Sequence, residues 1–384
     1  MRTHVCARAR APGRGERERE KEEERDCSQS VRFLPFGHRA FQLVLDCCNQ
    51  DSWWTINGFY MPVITLRPGQ LARWRLISAS IDEVLELTLP PDCQYYLLGK
   101  DGVYVSPAPR SVSVIYLSPG SRADVIVRCK QAGLHPLMSE DLTDGPDDDD
   151  DVAGVDGRQR RQQPPRPPPN GRPEPGFPHR GAIATVNVVG AKMAPYLPPR
   201  FIPARPDYLA DLTDGSMPPP GPRQPLIEKW DLLLGVGGLN LNGIPYAKGT
   251  FLKEISTGAI QEWRLNPSHA TGGTRHPFHL HVWPFQIVSL PNATAGKNEY
   301  YQVGDWHDMS QIGLELAAGS DAVIRFQTAT FNGSVVMHCH ILAHEDQGMM
   351  GVVNVRGRQL PPPVKSRQTT CVLVGGNNRP CRKG

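Results

Sequence analysis

Residues 55–80, TINGFYMPVITLRPGQLARWRLISAS, decide the fold. Short runs rich in Val, Ile, Thr and aromatic residues are broken by Asn57-Gly58 and Pro68-Gly69, the composition of strands joined by tight turns. The same texture continues through VLELTLP (84–90), QYYLLGKDG (94–102), SVSVIYLSPG (111–120) and RADVIVRC (122–129), and resumes at GAIATVNVVG (181–190). With Gly 37 and Pro 38 in 384 residues, the chain is turn-rich, and the expectation is an all-β protein.

The block has a second copy. Gly69 and Trp74-Arg75-Leu76 recur at the same internal spacing as Gly258 and Trp263-Arg264-Leu265, and each set follows an Asn-Gly pair, Asn57-Gly58 or Asn242-Gly243. Farther on, LSPGSRADVIV (117–127) is echoed by LAAGSDAVIRF (316–326). The repeat predicts two β-sandwich domains, over residues 51–205 and 222–357, with the Pro-rich SMPPPGPRQP between them. Residues 1–50 hold the charged run RGEREREKEEERD and the short apolar patch FQLVLDCC; they stay unassigned and are expected to be a disordered tail leading into a partial strand. An insert at about residues 136–180, with its aspartate run and RQRRQQPPRPPPNGRPEPG, is expected to be a disordered loop within the first domain, and 358–384 is a tail without pattern.

Composition narrows the function classes. Lys+Arg 42 against Asp+Glu 39 gives a net charge of +3, which offers no overall attraction for nucleic acid or a membrane surface. No run approaches the ~18 apolar residues of a membrane span, and the first twenty residues lack the apolar stretch of a secretory signal. The nine cysteines form no CxxC pair and show no disulfide-framework spacing; Cys339 alone sits in a metal-like context.

Just after the repeated Trp-Arg-Leu the two copies diverge. The first has ISASIDEVLELTLP without histidine, and the second has NPSHATGGTRHPFHLHVWPFQIV. In an extended chain, side chains two apart share a face, so His279 and His281 point one way and His276 can point another. A second cluster, His338-Cys339-His340, is followed by His344 and Met349; here the two histidines share one face and the sulfur of Cys339 takes the other. Two imidazoles, a thiolate and an axial thioether form the ligand set of blue copper, and His276, Cys339, His344 and Met349 supply it. The remaining His279, His281, His338 and His340 form an all-imidazole group suited to copper that binds oxygen. Zinc is the nearest rival, but closed zinc sites rarely need so many histidines beside a cysteine and a methionine.

The pairing of HPFHLH (276–281) with HCHILAHEDQGMM (338–350) resembles the third and fourth copper signatures of the multicopper oxidases, which include laccases and bacterial copper-efflux oxidases, and the resemblance extends over about residues 53–357. It implies two cupredoxin-like Greek-key sandwiches, the first structural and the second copper-binding. It implies type 1 copper at His276, Cys339, His344 and Met349, a type 2 ligand at His279, and type 3 ligands at His281, His338 and His340. It also implies one-electron oxidation of a small donor (phenol, aromatic amine, Fe(II) or Cu(I)) coupled to reduction of O2 to water, and an extracytoplasmic protein.

Glu345 is either a proton relay, as the resemblance suggests, or a surface carboxylate; Asp308 either lines a substrate entrance or satisfies backbone amides in a turn. The other histidines, His307 among them, are expected to be surface or ordinary packed residues. The family's trinuclear cluster uses eight histidines, half of them from a first domain without counterpart here, so a missing domain or a partner chain is expected to supply them. The alternative function is a non-enzymatic blue-copper carrier or electron-transfer module that uses the type 1 site alone.

Overall fold

Trp74 and Trp263, the two copies of the repeated tryptophan, are both fully buried, each at the centre of its own β-sandwich in the computed structural model. The structure describes residues 40–47, 54–81, 84–139, 181–194, 200–214, 226–236, 238–266, 276–290, 299–310, 321–328, 331–358 and 371–372.

Strand Ala72–Ser78 alternates buried and accessible positions, as a half-buried strand must, and pairs antiparallel with Arg122–Cys129, where Trp74 faces Val125. Its counterpart Ile260–Asn266 pairs antiparallel with Ala322–Gln327, where Trp263 faces Ile324. Each also has a parallel neighbour, Ala40–Cys47 in the first unit and Ile227–Leu233 in the second. Both Asn-Gly pairs turn with positive φ at both residues, 56° and 81° at Asn57 and Gly58, 55° and 73° at Asn242 and Gly243, the conformation that Asn-Gly tolerates best. The chain therefore folds as two cupredoxin-like β-sandwiches. Two sheets close over one core in each: an eight-stranded and a five-stranded sheet in the first, and two five-stranded sheets in the second.

Several boundaries differ from the sequence reading. Ala40–Cys47, read as a partial strand at the end of an unassigned tail, is a full strand of the first sandwich, in parallel register with Ala72–Ser78. What the sequence does not reveal is its place in the sheet, because its parallel partner is not reached through a hairpin. The first residues of the expected insert belong to strand Gly133–Ser139, which pairs with Gly181–Val188; residues 140–180 lie outside the described residues. In the tail, Cys371–Val372 pairs with Phe201–Ile202. Cys93 and Cys129 form a disulfide, contrary to the cysteine reading: they stand opposite each other in register on neighbouring strands, a pairing invisible at a sequence separation of 36.

The sandwiches are locked together by buried charge. Lys100 of the first, with 1% of its side chain exposed, donates to Asp305 Oδ2 at 2.7 Å and to the Tyr300 carbonyl at 2.6 Å in the second. Arg110 grips both oxygens of Asp305 at 2.8 Å, and His307 Nδ1 meets Asp101 Oδ2 at 3.0 Å. Burial alone would raise the pKa of Asp305, but Lys100 and Arg110 outweigh it and hold the carboxyl well below the usual range.

Candidate metal centre

Strand Gly333–Cys339 carries the centre on its two faces. On one, the sulfur of Cys339 lies 3.7 Å from His276 Nδ1 and 3.5 Å from His344 Nδ1, and the two rings meet edge to face at 5.1 Å. His276 comes from the segment just before strand Phe278–Leu280, which pairs with the Cys339 strand so that Phe278 faces Cys339. His344 comes from the short helix Leu342–Asp346, which turns the chain back: Met349 N donates to His344 O at 2.9 Å, and Cys339 N donates to Met349 O at 3.0 Å. Met349 is fully buried in the core beneath, Cys339 and His276 are nearly so, and His344 is half-buried.

On the other face stand the remaining imidazoles. The ligand atoms of His279, His281 and His338 lie within 4.8 Å of one another, and His340 sits beside them, its ring 5.5 Å from that of His279 and 5.3 Å from that of His338. Second contacts orient the rings. A carbonyl can only accept, so His279 Nδ1 donates to Asp308 O at 2.7 Å, which leaves Nε2 as the free donor atom. His338 Nδ1 meets Cys339 O at 2.9 Å and Glu345 Oε2 at 3.1 Å, with the same consequence for its Nε2. His281 is exposed, so the group is open on that side.

The donor chemistry fits metal on both faces. Burial pushes the Cys339 thiol up to about 12, and burial together with the neighbouring His344 pushes His276 down to about 4. A neutral thiol and a neutral imidazole thus converge on one point, the arrangement that a soft cation completes by displacing the thiol proton. On the imidazole face, His281 Nε2 and His338 Nε2 approach to 3.2 Å. With its Nδ1 directed at a carbonyl, His338 Nε2 is the acceptor of this pair, and either the Nε2 proton of His281 or a metal ion occupies the space between the two nitrogens. Burial lowers the pKa of His338 and takes that of His279 to about 4, which favours lone-pair donors at neutral pH.

The two secondary candidates lie at the same centre. Glu345 touches His338, and Asp308 reaches His279 through its carbonyl while its carboxylate accepts from both terminal guanidinium nitrogens of Arg122, at 2.8 and 2.6 Å. Asp308 also borders a cleft lined by Tyr104, Arg205, Tyr208, Val282 and Trp283. Sequence reasoning missed Arg122. Its one signal was that the aligned copies GSRADV and GSDAVI differ at this residue, Arg122 against Asp321.

Two family models described as multicopper oxidase match the chain, one over residues 42–149 and the other over residues 202–359, together well over half of it. The chain belongs to the multicopper oxidase family. Among curated relatives, a bilirubin oxidase of Albifimbria verrucaria is 28% identical over 116 residues, 30% of this chain and 19% of its own. An iron transport multicopper oxidase of Schizosaccharomyces pombe is 30% identical over 145 residues, 36% of this chain and 22% of its own. Each match thus spans only about a fifth of the relative's length. Solved structures share the fold: a multicopper oxidase from Campylobacter jejuni, titled a metallo-oxidase, superposes with TM-score 0.55 at 18% identity, over 83% of this chain and 64% of that one. McoA of Aquifex aeolicus gives TM-score 0.55 at 16% identity, over 88% and 70%. No helix among the described residues is long and apolar enough to cross a membrane.

Proposed function

We propose that the chain is a copper-dependent oxidoreductase that takes single electrons from a small donor at His276, Cys339, His344 and Met349 and passes them to an oxygen-reducing site at His279, His281, His338 and His340. The observation that carries this reading is the pair of donor sets on opposite faces of one strand, joined through the backbone of Cys339 and its two neighbours. Copper, when bound, supplies reversible one-electron chemistry at the first set and dioxygen chemistry at the second.

The protein's own residues set the conditions. Burial of Cys339, His276 and Met349 keeps water from the sulfur, whereas half-buried His344 offers an edge to an arriving donor. Glu345, beside His338, is placed to hold a proton for reduced oxygen. The donor class is an electron-rich small molecule or ion: a phenol, an aromatic amine, Fe(II) or Cu(I). A first domain with further histidine pairs, in the same chain or on a partner, completes the imidazole group.

The test is spectroscopic. Copper-loaded protein should show an intense visible band that bleaches under nitrogen on addition of one of the four donor types. Absence of the band, or a band that none of them bleaches, would remove the reading. A second reading, electron transfer or copper carriage through the Cys339 set alone, is favoured by the convergence of Cys339, His276 and His344 on one point within this chain. Oxygen uptake after a histidine-bearing first domain is supplied separates the two.

A further inference from the structure

The sandwich without ligands nevertheless reaches the imidazole group. Its turn Ser118–Arg122 leads into strand Arg122–Cys129 and is tightly held: Ser118 and Ser121 hydroxyls meet at 2.7 Å, Gly120 N donates to Ser78 O at 3.1 Å, and Ser78 N donates to Ser121 O at 3.0 Å. From this turn Arg122 makes its two-pronged bond to the Asp308 carboxylate, with one prong also donating to Gly120 O at 3.0 Å. A bidentate guanidinium–carboxylate pair fixes angle as well as distance.

Asp308 is where that fixation matters. Its carbonyl accepts both Leu280 N at 3.1 Å and His279 Nδ1 at 2.7 Å. The two-residue strands around it, Trp306–His307 and Met309–Ser310, lie at the edges of their sheets, so the ladder holds this segment on one side only. The same turn also touches a second imidazole. Gly120 has φ +80°, and a Cβ built on it would lie 2.7, 2.9 and 3.0 Å from Nε2, Cε1 and Cδ2 of His340. The near-equality of these distances puts the added atom over the ring face, not along the in-plane lone pair of Nε2. Any side chain at this position would therefore press on the ring face of His340, and the absence of a Cβ at Gly120 leaves that ring its space.

We propose that Arg122 is a positioning residue for the imidazole group: by clamping Asp308 from the other sandwich it holds the carbonyl that fixes the tautomer and direction of His279, while Gly120 of the same turn, having no side chain, leaves room for the ring of His340. The ligand-free sandwich is then part of the metal centre's scaffold, and the inference rests on the copper reading above only for its second readout.

Two readouts on the full chain test it. In metal-free protein carrying 15N-histidine, His279 should have its proton on Nδ1; Arg122→Gln and Asp308→Asn should each give a mixture of tautomers, and the double variant should add nothing to either single one. Arg73→Gln, which breaks the Arg73–Asp124 pair on the same sheet, should leave His279 unchanged. In copper titrations followed by electron paramagnetic resonance, Arg122→Gln should weaken non-blue Cu(II) binding by roughly 10- to 100-fold. The blue site should load as in the wild type, which also shows that the variant folds. Gly120→Ala should shift the His340 resonances without altering the His279 tautomer. A wild-type tautomer and undiminished non-blue copper affinity in Arg122→Gln would overturn the proposal. If wild-type protein binds no non-blue copper, the copper reading of the imidazole face fails, and the tautomer measurement still decides the role of Arg122.

Discussion

His279 and His338 stand opposite each other in register on strands Phe278–Leu280 and Gly333–Cys339, and one step along the same ladder Phe278 stands opposite Cys339. The alternation of a strand turns that single step into a change of face. The ladder that buries Cys339 with His276 and His344 therefore presents His279 and His338 to the other side. Two kinds of donor set, one with sulfur and one without, come from adjacent residues.

Cys339→Ser tests the sulfur set. An alkoxide is a poor substitute for thiolate on copper, and the intense visible band of a blue site comes from thiolate charge donation. The variant should lose that band while keeping its circular dichroism and unfolding midpoint, because one buried sulfur becomes one oxygen in a site already lined by imidazole donors. A copper-loaded wild type that never shows the band would refute the assignment.

Met349→Leu separates packing from ligation. Met349 is fully buried, and a swap that conserves volume should cost less than about 1.5 kcal/mol in the metal-free protein by chemical denaturation. Loss of the thioether removes a donor that stabilises Cu(II) relative to Cu(I), so redox titration should show a higher potential. An unchanged or lower potential would mean that Met349 serves the core alone.

Much of this was legible in sequence because its signals are local. The Asn-Gly turns, the repeated Trp-Arg-Leu strands and both histidine clusters fall within short windows, and strand parity alone divides Cys339 from His338 and His340. What stayed hidden is tertiary. Arg122 and Asp308 are 186 residues apart, Cys93 and Cys129 are 36 apart, and Ala40–Cys47 pairs in parallel with a strand that no hairpin links to it. None of these has a periodic or motif signature. Each exists only because two surfaces meet.

The charged lock between the sandwiches sets a pH limit. The folded-state pKa of Asp305 is depressed below the unfolded carboxylate value of about 3.9. A depressed carboxyl contributes stability that is present above the unfolded value and lost as pH falls through the folded one. Calorimetry should therefore show one coupled transition near neutral pH and two separate ones in strong acid. Asp305→Asn should uncouple the sandwiches even at neutral pH, at a cost of about 3–5 kcal/mol, because Lys100 is left buried without its counter-ion. A single transition under all these conditions would show that the lock does not couple the two units.

Copper count is the most consequential prediction. The sulfur set brings the ligand atoms of His276, Cys339 and His344 within 4.8 Å of one another, and backbone bonds tie Met349 to both Cys339 and His344. The imidazole face offers His279, His281, His338 and His340, and His281 leaves it open to solvent. A metal ion short of ligands must offset its dehydration with fewer bonds, so its affinity falls steeply. The 384-residue chain alone should then retain about one tightly held copper after dialysis, an estimate that follows from the proposed four-donor set on the sulfur face. Electrons entering at His344 would reach Cys339 with no fully ligated acceptor beyond it, so donor-dependent oxygen uptake should be negligible. Supplying a cupredoxin domain that carries two further histidine pairs should raise both the copper content and the uptake. Four coppers per chain with sustained turnover by the isolated monomer would show instead that four imidazoles suffice, and that the open face at His281 is closed by something other than added histidines.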